Sequence, residues 1–331
     1  MKDCIELKIF ITGVYRSGTT LLSRILNNHP KLWVTYDSIH FMRFCYGKYN
    51  PIQSVRNAES LVKDLHVRIL RRWDMSFNIN TVISNLHDLK TVTYRDCYEF
   101  IMRELVLQGK KNAVGWGEKT NVCWGQIPNF LSMFPEDGKV LHIVRDPRDV
   151  LCSYREHTYE RAFAYLDSVF CSLHSLTKAY EYSAMIDKNK YYCLRYEDLL
   201  GNPQQEVEKI CNFLGVSFEL NMLDVTKFTN KKGKRWGGNS AFVGKSTAIS
   251  TEPIGRWRKS SNAMEVFLVE SINKEYMLKF NYKISNVKLD EFEMNKLFDI
   301  LRGDKLLHAR HEYWLKTGQG VEGYPSDPTK K

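Results

Sequence analysis

The sequence predicts an α/β fold with a central parallel sheet flanked by helices. Three short apolar runs are each followed by a turn and a helical pattern, and strands that alternate with helices in this way form a parallel sheet. A chain of 331 residues is long enough for one large domain or at most two. Its hydrophobic content of 43% and charged content of 26% are typical of a globular protein with a sizeable core.

Each predicted strand leads into its own helix. In chain order, the pairs are a strand at 7–11 with a helix over 19–28, a strand at 139–144 with a helix that opens at Pro147, and a strand at 191–196 with a helix that ends at Leu214 before Gly215. Proline suits the first helical turn and glycine the position after a helix. Because ligands of open parallel sheets bind beyond the carboxyl ends of the strands, we expect the functional residues in the turns after these strands.

Composition and residue spacing argue against several classes of protein. The sequence has no run of about 18 apolar residues, so a membrane-spanning helix is not expected. The polar segment Met1 to Lys8 leads into a short apolar run without the layout of a signal peptide. The eight cysteines are scattered without a CxxC pair, and the nine histidines show no HExxH or comparable spacing. We therefore expect a soluble cytoplasmic protein without a metal site.

Positive charge is concentrated in one stretch of the chain. The formal net charge is +10, and the stretch from Lys227 to Lys259 contains nine basic residues against one acidic residue, Glu252. This basic stretch therefore carries +8 of the total. Such a stretch fits a polyanionic small ligand, a nucleic-acid patch or a solvated surface loop, and charge alone does not distinguish the three.

The turn after the first strand has the layout of a phosphate-binding loop. Residues Gly13 to Thr20 read GVYRSGTT and lie between the strand and its helix, where backbone N–H groups and the helix N-terminus receive an anion. The two glycines have the spacing of the nucleotide-hydrolase motif GxxxxGK, but Thr19 stands where that motif requires lysine. The cation is Arg16 instead, inside the loop. An anion site is therefore expected, but not nucleotide hydrolysis of the usual kind.

A second anion site is predicted at the end of the second strand. Arg145 stands at the strand tip, and Ser153 follows eight residues later, about two turns along the helix. An arginine at a strand tip and a serine on the next helix can hold a phosphate from two sides. Arg148 and Asp149 lie between them and could equally be surface charges at the helix start.

Together these two segments resemble the sulfotransferase family, whose donor is 3′-phosphoadenosine 5′-phosphosulfate (PAPS). The run GVYRSGTTLLSRIL resembles the 5′-phosphosulfate loop of that family, and VLHIVRDPRDVLCSY resembles its 3′-phosphate segment. Three weaker pieces agree in order, namely WGEKT at 116–120, LRYEDLLGNP at 194–203 and GRWRKS at 255–260. The resemblance spans roughly residues 7 to 282. It implies a P-loop-like α/β fold and a reaction without a metal.

The resemblance also implies roles for individual residues. The 5′-phosphosulfate is expected at Arg16, Ser17, Gly18, Thr19 and Thr20. The 3′-phosphate is expected at Arg145 and Ser153. Further donor contacts are expected at Tyr196, Lys245, Arg256 and Trp257. The basic stretch would then close over the donor, which explains its charge without nucleic acid, and the product would be adenosine 3′,5′-bisphosphate.

Catalysis needs a base that takes the proton of the acceptor and cations that stabilise the leaving phosphate. Cytosolic sulfotransferases carry a catalytic histidine two residues after a lysine, but two residues after Lys119 comes Asn121, which cannot act as a base. The tyrosylprotein and carbohydrate sulfotransferases use a glutamate soon after a His-Pro pair, and the position in register with it is Asp37. The resemblance therefore implies Asp37 as the base, with Lys119 and Arg16 as the cations.

The identity of the base stays open at this point. His40, three residues after Asp37, is a second candidate. Glu118 could orient Lys119 or serve as the base itself. Asp37 could instead cap the turn that follows it. To act near neutral pH, Asp37 would need a pKa that is raised by burial.

We expect three regions along the chain. A sulfotransferase domain is expected at 1–285, an amphipathic C-terminal helix at 286–317, and a disordered tail at 318–331. The helix is predicted from the spacing of the apolar residues Met294, Leu297, Phe298 and Leu301. The tail is predicted from its polar, Gly- and Pro-rich composition.

The expected reaction is transfer of a sulfuryl group to a hydroxyl or amine of a small-molecule acceptor. A metabolite or natural product fits this role, and we expect it to bind between the variable segments, about residues 38–95 and 155–185. A homodimer is left open, and neither a membrane nor a nucleic acid is an expected partner. Two alternatives remain: a P-loop-type kinase of a small molecule, and a non-catalytic nucleic-acid-binding protein. The absent loop lysine argues against the kinase, which would also need Mg²⁺.

Overall fold

Five parallel strands form the central sheet of the described part of the chain. The structure is a computed structural model, and it describes residues 5–35, 39–73, 76–157, 162–229, 236 and 248–323. The strands are β1 (Leu7–Thr12), β2 (Leu32–Val34), β3 (Gly115–Lys119), β4 (Gly138–Val144) and β5 (Tyr191–Arg195). Their order across the sheet is β2-β3-β1-β4-β5, and every neighbouring pair is parallel. The predicted α/β fold is confirmed, and the three predicted strands are β1, β4 and β5.

Helices cover both faces of this sheet. They are α1 (Thr19–Asn27), α2 (Phe41–Phe44), α3 (Val55–Trp73), α4 (Ile79–His87), α5 (Tyr94–Gly109), α6 (Ile127–Met133), α7 (Pro147–His157), α8 (Asp167–Met185), α9 (Tyr196–Gly201), α10 (Pro203–Leu214), α11 (Trp257–Ser260), α12 (Ala263–Lys279), α13 (Glu291–Gly303) and α14 (Lys305–Thr317). Short 3-10 turns lie at Trp124–Gln126, Ala164–Leu166, Leu220–Leu223 and Val225–Lys227. None of the helices that the structure describes is long and apolar enough to cross a membrane.

The two faces of the sheet have separate apolar cores. Successive residues of a strand point to opposite faces. Phe10 of β1 therefore packs into a cluster with residues of α3, α5 and α6, whereas Ile9 and Ile11 pack into a cluster with residues of α1 and α10. The helices predicted after β1, β4 and β5 are observed as α1, α7 and α10, and Gly215 ends α10 with a φ of 76°.

A search for apolar runs misses β2 and β3. β3 reads GWGEK, which contains no apolar run, yet all five of its residues are buried. It lies between β2 and β1, and a Cβ on Gly115 would lie 2.9 Å from Leu7 Cβ and 3.0 Å from Leu32 Cδ2. Close packing between β2 and β1 determines the position of β3. These two strands are distant from β3 in the sequence, so the local pattern of β3 does not reveal its burial.

The C-terminal region differs from the prediction. The single helix expected over 286–317 is two helices, α13 and α14. Asp304 separates them, because its carboxylate accepts the N–H groups of Leu306 at 2.9 Å and Leu307 at 3.0 Å and so caps a new helix. Beyond α14 the Val321 N–H donates to a carbonyl oxygen of α8 at 3.2 Å. Residues 318–323 therefore pack against the body rather than forming part of a disordered tail, and 324–331 lie outside the described residues.

Candidate active site at the carboxyl ends of the strands

The loop between β1 and α1 presents N–H donors. Ser17 is folded back onto the loop, since its N–H and its hydroxyl both donate to Val14 O, at 3.3 and 2.8 Å. The helix then starts at Thr19 with no side chain capping its N-terminus. The first N–H groups of a helix have no partner within it and carry partial positive charge. These donors lie where the sequence predicts the first anion site.

Gly18 is required by the geometry of this loop. Its φ of 102° lies in the left-handed region that side chains rarely adopt. A Cβ at this position would lie 2.3 Å from Tyr196 Cδ2 and 2.6 Å from its Cε2. The ring of Tyr196, at the start of α9, therefore packs directly against the loop backbone. This predicted donor residue is thus next to the first anion site.

Two arginines connect the loop after β1 with the segment after β4. Arg16 Nε donates to the hydroxyl oxygen of Ser153 on α7 at 3.0 Å. Arg145, directly after β4, donates from Nη1 to Arg16 O at 2.8 Å. Burial, together with repulsion from Arg145 and Arg256, lowers the pKa of Arg16 to about 10. Arg16 still carries its charge at neutral pH, and an anion bound between the two guanidinium groups would relieve their repulsion.

Arg145 is a buried cation in this arrangement, with 3% of its surface exposed. Its Nη2 donates to Pro253 O at 2.7 Å, and its guanidinium lies 4.6 Å from the centroid of the Tyr196 ring. Its buried Nε has no hydrogen-bond partner among the described residues. A buried donor without a partner is costly, and a phosphate oxygen would supply the acceptor.

Asp149 fixes the segment that carries Arg256 and Trp257. Its carboxylate accepts the N–H groups of Gly255 at 2.6 Å and of Trp257 at 3.0 Å. Burial raises the pKa of Asp149, while these two hydrogen bonds oppose the rise. Arg256 Nη1 donates to Glu156 Oε2 on α7 at 3.1 Å. One carboxylate therefore holds the start of α11 against α7, close to Ser153.

Trp257 and Arg148 pack together in the protein interior. The Arg148 guanidinium lies 3.9 Å from the centroid of a Trp257 ring, and it pairs with Asp146 at 2.7 Å and Glu270 at 2.6 Å. The alternative that Arg148 and Asp149 are surface charges is wrong, because both are buried with their charges satisfied. The indole of Trp257 covers Arg148, and its contact with the donor stays a prediction.

Asn121 anchors the loop from the end of β3. Its Nδ2 donates to Thr19 Oγ1 at 2.9 Å and to Val14 O at 3.2 Å. Two residues earlier, Lys119 Nζ donates to Thr20 Oγ1 at 3.4 Å. The sequence identifies Asn121 only as a residue that cannot be a base, whereas the structure gives it a positioning role. Lys119 reaches the same helix start as the predicted 5′-phosphosulfate residues.

Glu118 is enclosed by hydrogen-bond donors. Its carboxylate accepts the Phe41 N–H at 3.0 Å, the Thr120 hydroxyl at 2.5 Å and the Tyr98 hydroxyl. Burial raises the pKa of Glu118, and these hydrogen bonds oppose the rise. A carboxylate that is closed off from solvent and held by three donors is poorly placed to take a proton from an acceptor. The geometry favours a role in holding the start of α2.

The other two candidate bases belong to the segment between β2 and α2. Asp37 lies in 36–38, outside the described residues. The flanking residues Thr35 and Ile39 are buried, and the Thr35 N–H continues the pairing with β3 by donating to Gly117 O at 2.9 Å. His40 is buried at the start of α2, with a φ of 53°. Because β2 and β3 are parallel, the chain at Thr35 leaves the sheet at the same edge as Lys119.

The basic stretch is described only in part. Residues 230–235 and 237–247, and with them Lys245, lie outside the described residues. Trp236 is described, and the Arg24 guanidinium of α1 lies 5.9 Å from the centroid of its ring. Across the described ranges, no group of three or more His, Cys, Asp or Glu residues is arranged to hold a metal ion.

Comparisons with known proteins were consistent with this arrangement. A family model with the description "Sulfotransferase family" matches residues 8–219. The omega-hydroxy-beta-dihydromenaquinone-9 sulfotransferase Stf3 of Mycobacterium tuberculosis is 33% identical over 102 residues, which is 28% of this chain and 26% of that protein. Carbohydrate sulfotransferase 1 of Mus musculus is 24% identical over 166 residues, which is 45% of this chain and 39% of that protein. The chain thus covers less than half the length of each of these curated relatives.

Two solved structures resemble the fold. The sulfotransferase domain from the curacin biosynthetic pathway has a TM-score of 0.53 at 18% identity and covers 83% of this chain and 98% of that one. The sulfotransferase domain from the Synechococcus PCC 7002 olefin synthase has a TM-score of 0.50 at 17% identity and covers 82% and 96%. At this level of identity the similarity establishes the fold alone.

Proposed function

The chain belongs to the sulfotransferase family, and we propose that it acts as a sulfotransferase. On that premise we propose that it transfers a sulfuryl group from PAPS to a hydroxyl or amine of a small-molecule acceptor. The relative from Mycobacterium is named for a menaquinone, a small molecule, which supports this class of acceptor. We keep cytoplasmic location, natural-product tailoring and a homodimer as predictions of the same proposal.

One observation carries the proposal. Arg16 and Arg145 connect the loop after β1 with the helix after β4, through the bonds from Arg16 Nε to Ser153 Oγ and from Arg145 Nη1 to Arg16 O. A nucleotide with phosphates at both its 5′ and 3′ positions needs two anion sites on one rigid frame. A nucleotide with a single phosphate group would leave the second site without a ligand.

The residues of the chain would divide the binding of the donor between them. Thr19, Thr20 and the helix start would hold the 5′ end, while Ser153 and the Nε of Arg145 would hold the 3′-phosphate. When bound, PAPS supplies the sulfuryl group and a good leaving group. Asp149 acts indirectly, because it fixes the backbone that brings Pro253 O and Arg256 to this side of the site.

The reacting centre would lie between the segment after β2 and the end of β3. Asp37 would take the proton of the acceptor hydroxyl at a carboxylate oxygen, which makes that oxygen a better nucleophile. Lys119 Nζ, which lies 3.4 Å from Thr20 Oγ1, would donate to the oxygen that leaves with the phosphate. Arg16 would add a second positive charge at that oxygen. His40, buried one position before α2, is the alternative base.

Calorimetric titration with adenosine 3′,5′-bisphosphate tests this proposal. We expect micromolar binding that AMP does not reproduce, because AMP lacks the 3′-phosphate. ATP with Mg²⁺ serves as the second control. Preference for ATP with Mg²⁺ would favour the kinase alternative, and absence of binding to the bisphosphate would refute the proposed donor. A steep fall of affinity with salt for long nucleic acids, without bisphosphate binding, would favour the nucleic-acid alternative.

A further inference from the structure

A polar cleft opens beside the proposed reacting centre. It has a volume of about 300 Å³, and its lining includes Arg43, Phe44, Lys48, Val122 and Glu322. The function proposed above uses none of these five side chains. Two of them are cations, so the cleft differs in chemistry from a pocket for an apolar acceptor.

The cleft adjoins the loop that binds the donor in our proposal. The Val122 N–H donates to Gly13 O at 3.0 Å. Arg43 Nη1 donates to the Tyr15 hydroxyl at 3.1 Å and to Asn121 O at 3.3 Å. One wall of the cleft is therefore the chain directly after Lys119 and Asn121, and another is α2 directly after His40. The cleft therefore adjoins the chain segments that carry Lys119 and His40.

Cations gather around one aromatic ring at this cleft. The guanidinium of Arg68 lies 3.9 Å from the centroid of the Phe44 ring, the ammonium of Lys48 lies 5.3 Å from it, and the guanidinium of Arg43 lies 5.4 Å from it. Each cation is attracted to the face of the ring, but the three repel one another. An anion bound at the cleft would lower that repulsion.

The C-terminal segment already brings a carboxylate to the cleft. Glu322 Oε1 accepts the Gly125 N–H at 3.0 Å, and Glu322 lines the cleft together with Arg43 and Lys48. The side chain comes from the far end of the chain, beyond α14. The cleft thus already accommodates one carboxylate. An external anion would compete with the Glu322 carboxylate for the cations of the cleft.

We propose that this cleft binds an anionic group of the acceptor, a carboxylate or a phosphate, with Arg43 and Lys48 as its ligands. The inference rests on the proposed function, since it places the acceptor hydroxyl at the reacting centre next to Lys119. Arg43 Nη1 donates to Asn121 O, two residues after Lys119. In this inference the acceptor carries an anionic group in addition to the hydroxyl that receives the sulfuryl group. Arg43 and Lys48 determine specificity and do not take part in the chemical step.

Binding of small probes to the full chain tests this inference. The probes are phenylacetate, phenyl phosphate and the neutral benzyl alcohol, each titrated in the presence of saturating adenosine 3′,5′-bisphosphate so that the donor site is filled. We expect at least one of the two anions to bind about tenfold more tightly than benzyl alcohol, the effect of one charge-assisted hydrogen bond. Phenylacetate alone would identify a carboxylate site, and phenyl phosphate alone a phosphate site.

Variants distinguish a specific loss of anion binding at the cleft from general damage to the fold. Lys48→Gln should weaken binding of the anion about tenfold and leave the affinity for benzyl alcohol unchanged. Lys48→Arg should retain the affinity for the anion. Glu322→Gln should strengthen anion binding, because it removes a competing negative charge. Lys63→Gln is the matched control, since Lys63 is an exposed lysine on α3 that pairs with Glu59 at 2.8 Å. Equal affinity for anions and benzyl alcohol, or an unchanged anion affinity in Lys48→Gln, would overturn the inference.

Titration of the bisphosphate alone distinguishes this failure from a failure of the proposed function. If the bisphosphate binds and the affinity for the anions does not depend on Lys48, the donor assignment stands and the acceptor inference is refuted. If the bisphosphate does not bind but the anions bind in a manner that depends on Lys48, the cleft is an anion site and the proposed donor is wrong.

Discussion

Replacement of Arg145 by alanine is the sharpest test of the donor site. Arg145 is buried, its Nη atoms donate to Arg16 O and Pro253 O, and its Nε faces no acceptor among the described residues. Hydrogen bonds between charged groups contribute about 1.5–3 kcal/mol each. Loss of this cation should therefore weaken binding of adenosine 3′,5′-bisphosphate by about 3 kcal/mol, or roughly 10²-fold in Kd.

The design of the assay separates direct from indirect effects. AMP has no 3′-phosphate, so Arg145→Ala should weaken AMP binding only through the altered loop. The expected loss is about 1 kcal/mol, the contribution of a neutral hydrogen bond. Calorimetry of both nucleotides with wild type and Arg145→Ala gives the coupling between the side chain and the 3′-phosphate. Arg145→Lys keeps a charge but not the planar fork, and we expect an intermediate affinity. An unchanged ratio of the two affinities in Arg145→Ala would refute the assignment of the 3′-phosphate to this residue.

Three further predictions follow from the same structure. Asp37→Asn should keep the affinity for the bisphosphate and lower turnover about 10²–10⁴-fold, the usual effect of losing a general base; full turnover would transfer the role to His40, to be tested with His40→Gln. Gly18→Ala should lower both Tm and bisphosphate affinity, because the φ of 102° and the contact at 2.3 Å leave no room for a Cβ. Gly201→Ala is its control, with no atom within 4 Å of the added Cβ, and equal Tm values would contradict the argument. Burial lowers the pKa of His142 from its usual 6.5 to about 3. Below pH 6.5 the unfolded chain therefore binds a proton that the folded chain does not, and stability should fall by about 2 kcal/mol between pH 7 and pH 5 from this group. Urea unfolding at the two pH values should show a smaller fall in His142→Gln, and an equal fall would argue against this linkage.

Much of the fold follows from local patterns in the chain. β1, β4 and β5 are apolar runs of strand length, and Pro147 and Gly215 mark where the neighbouring helices begin and end. The local pattern does not predict β3, because its glycines, tryptophan and charged residues form no apolar run. Its burial depends on the strands on either side, which are 80 or more residues away in sequence for β2 and β1.

The C-terminal region shows a second limit of pattern reading. The spacing of its apolar residues is helical throughout, so one long helix is the simple expectation. Asp304 interrupts that helix because a carboxylate that accepts two successive N–H groups starts a new helix instead of continuing the old one. The contact of Glu322 with Gly125 joins residues that no local pattern relates.

The candidate site divides in the same way. The residue types of the loop, with Arg16 inside it and Gly18 before the helix, indicate an anion site because backbone N–H donors and the helix terminus are local features. The contact of Arg16 with Ser153 and the anchoring of the loop by Asn121 join residues more than 100 positions apart. Those contacts depend on the order of the strands in the sheet, with β1 between β3 and β4. Neighbouring residues in the sequence determine the chemistry of each anion site. The position of one anion site relative to the other is determined only when the sheet brings their strands side by side.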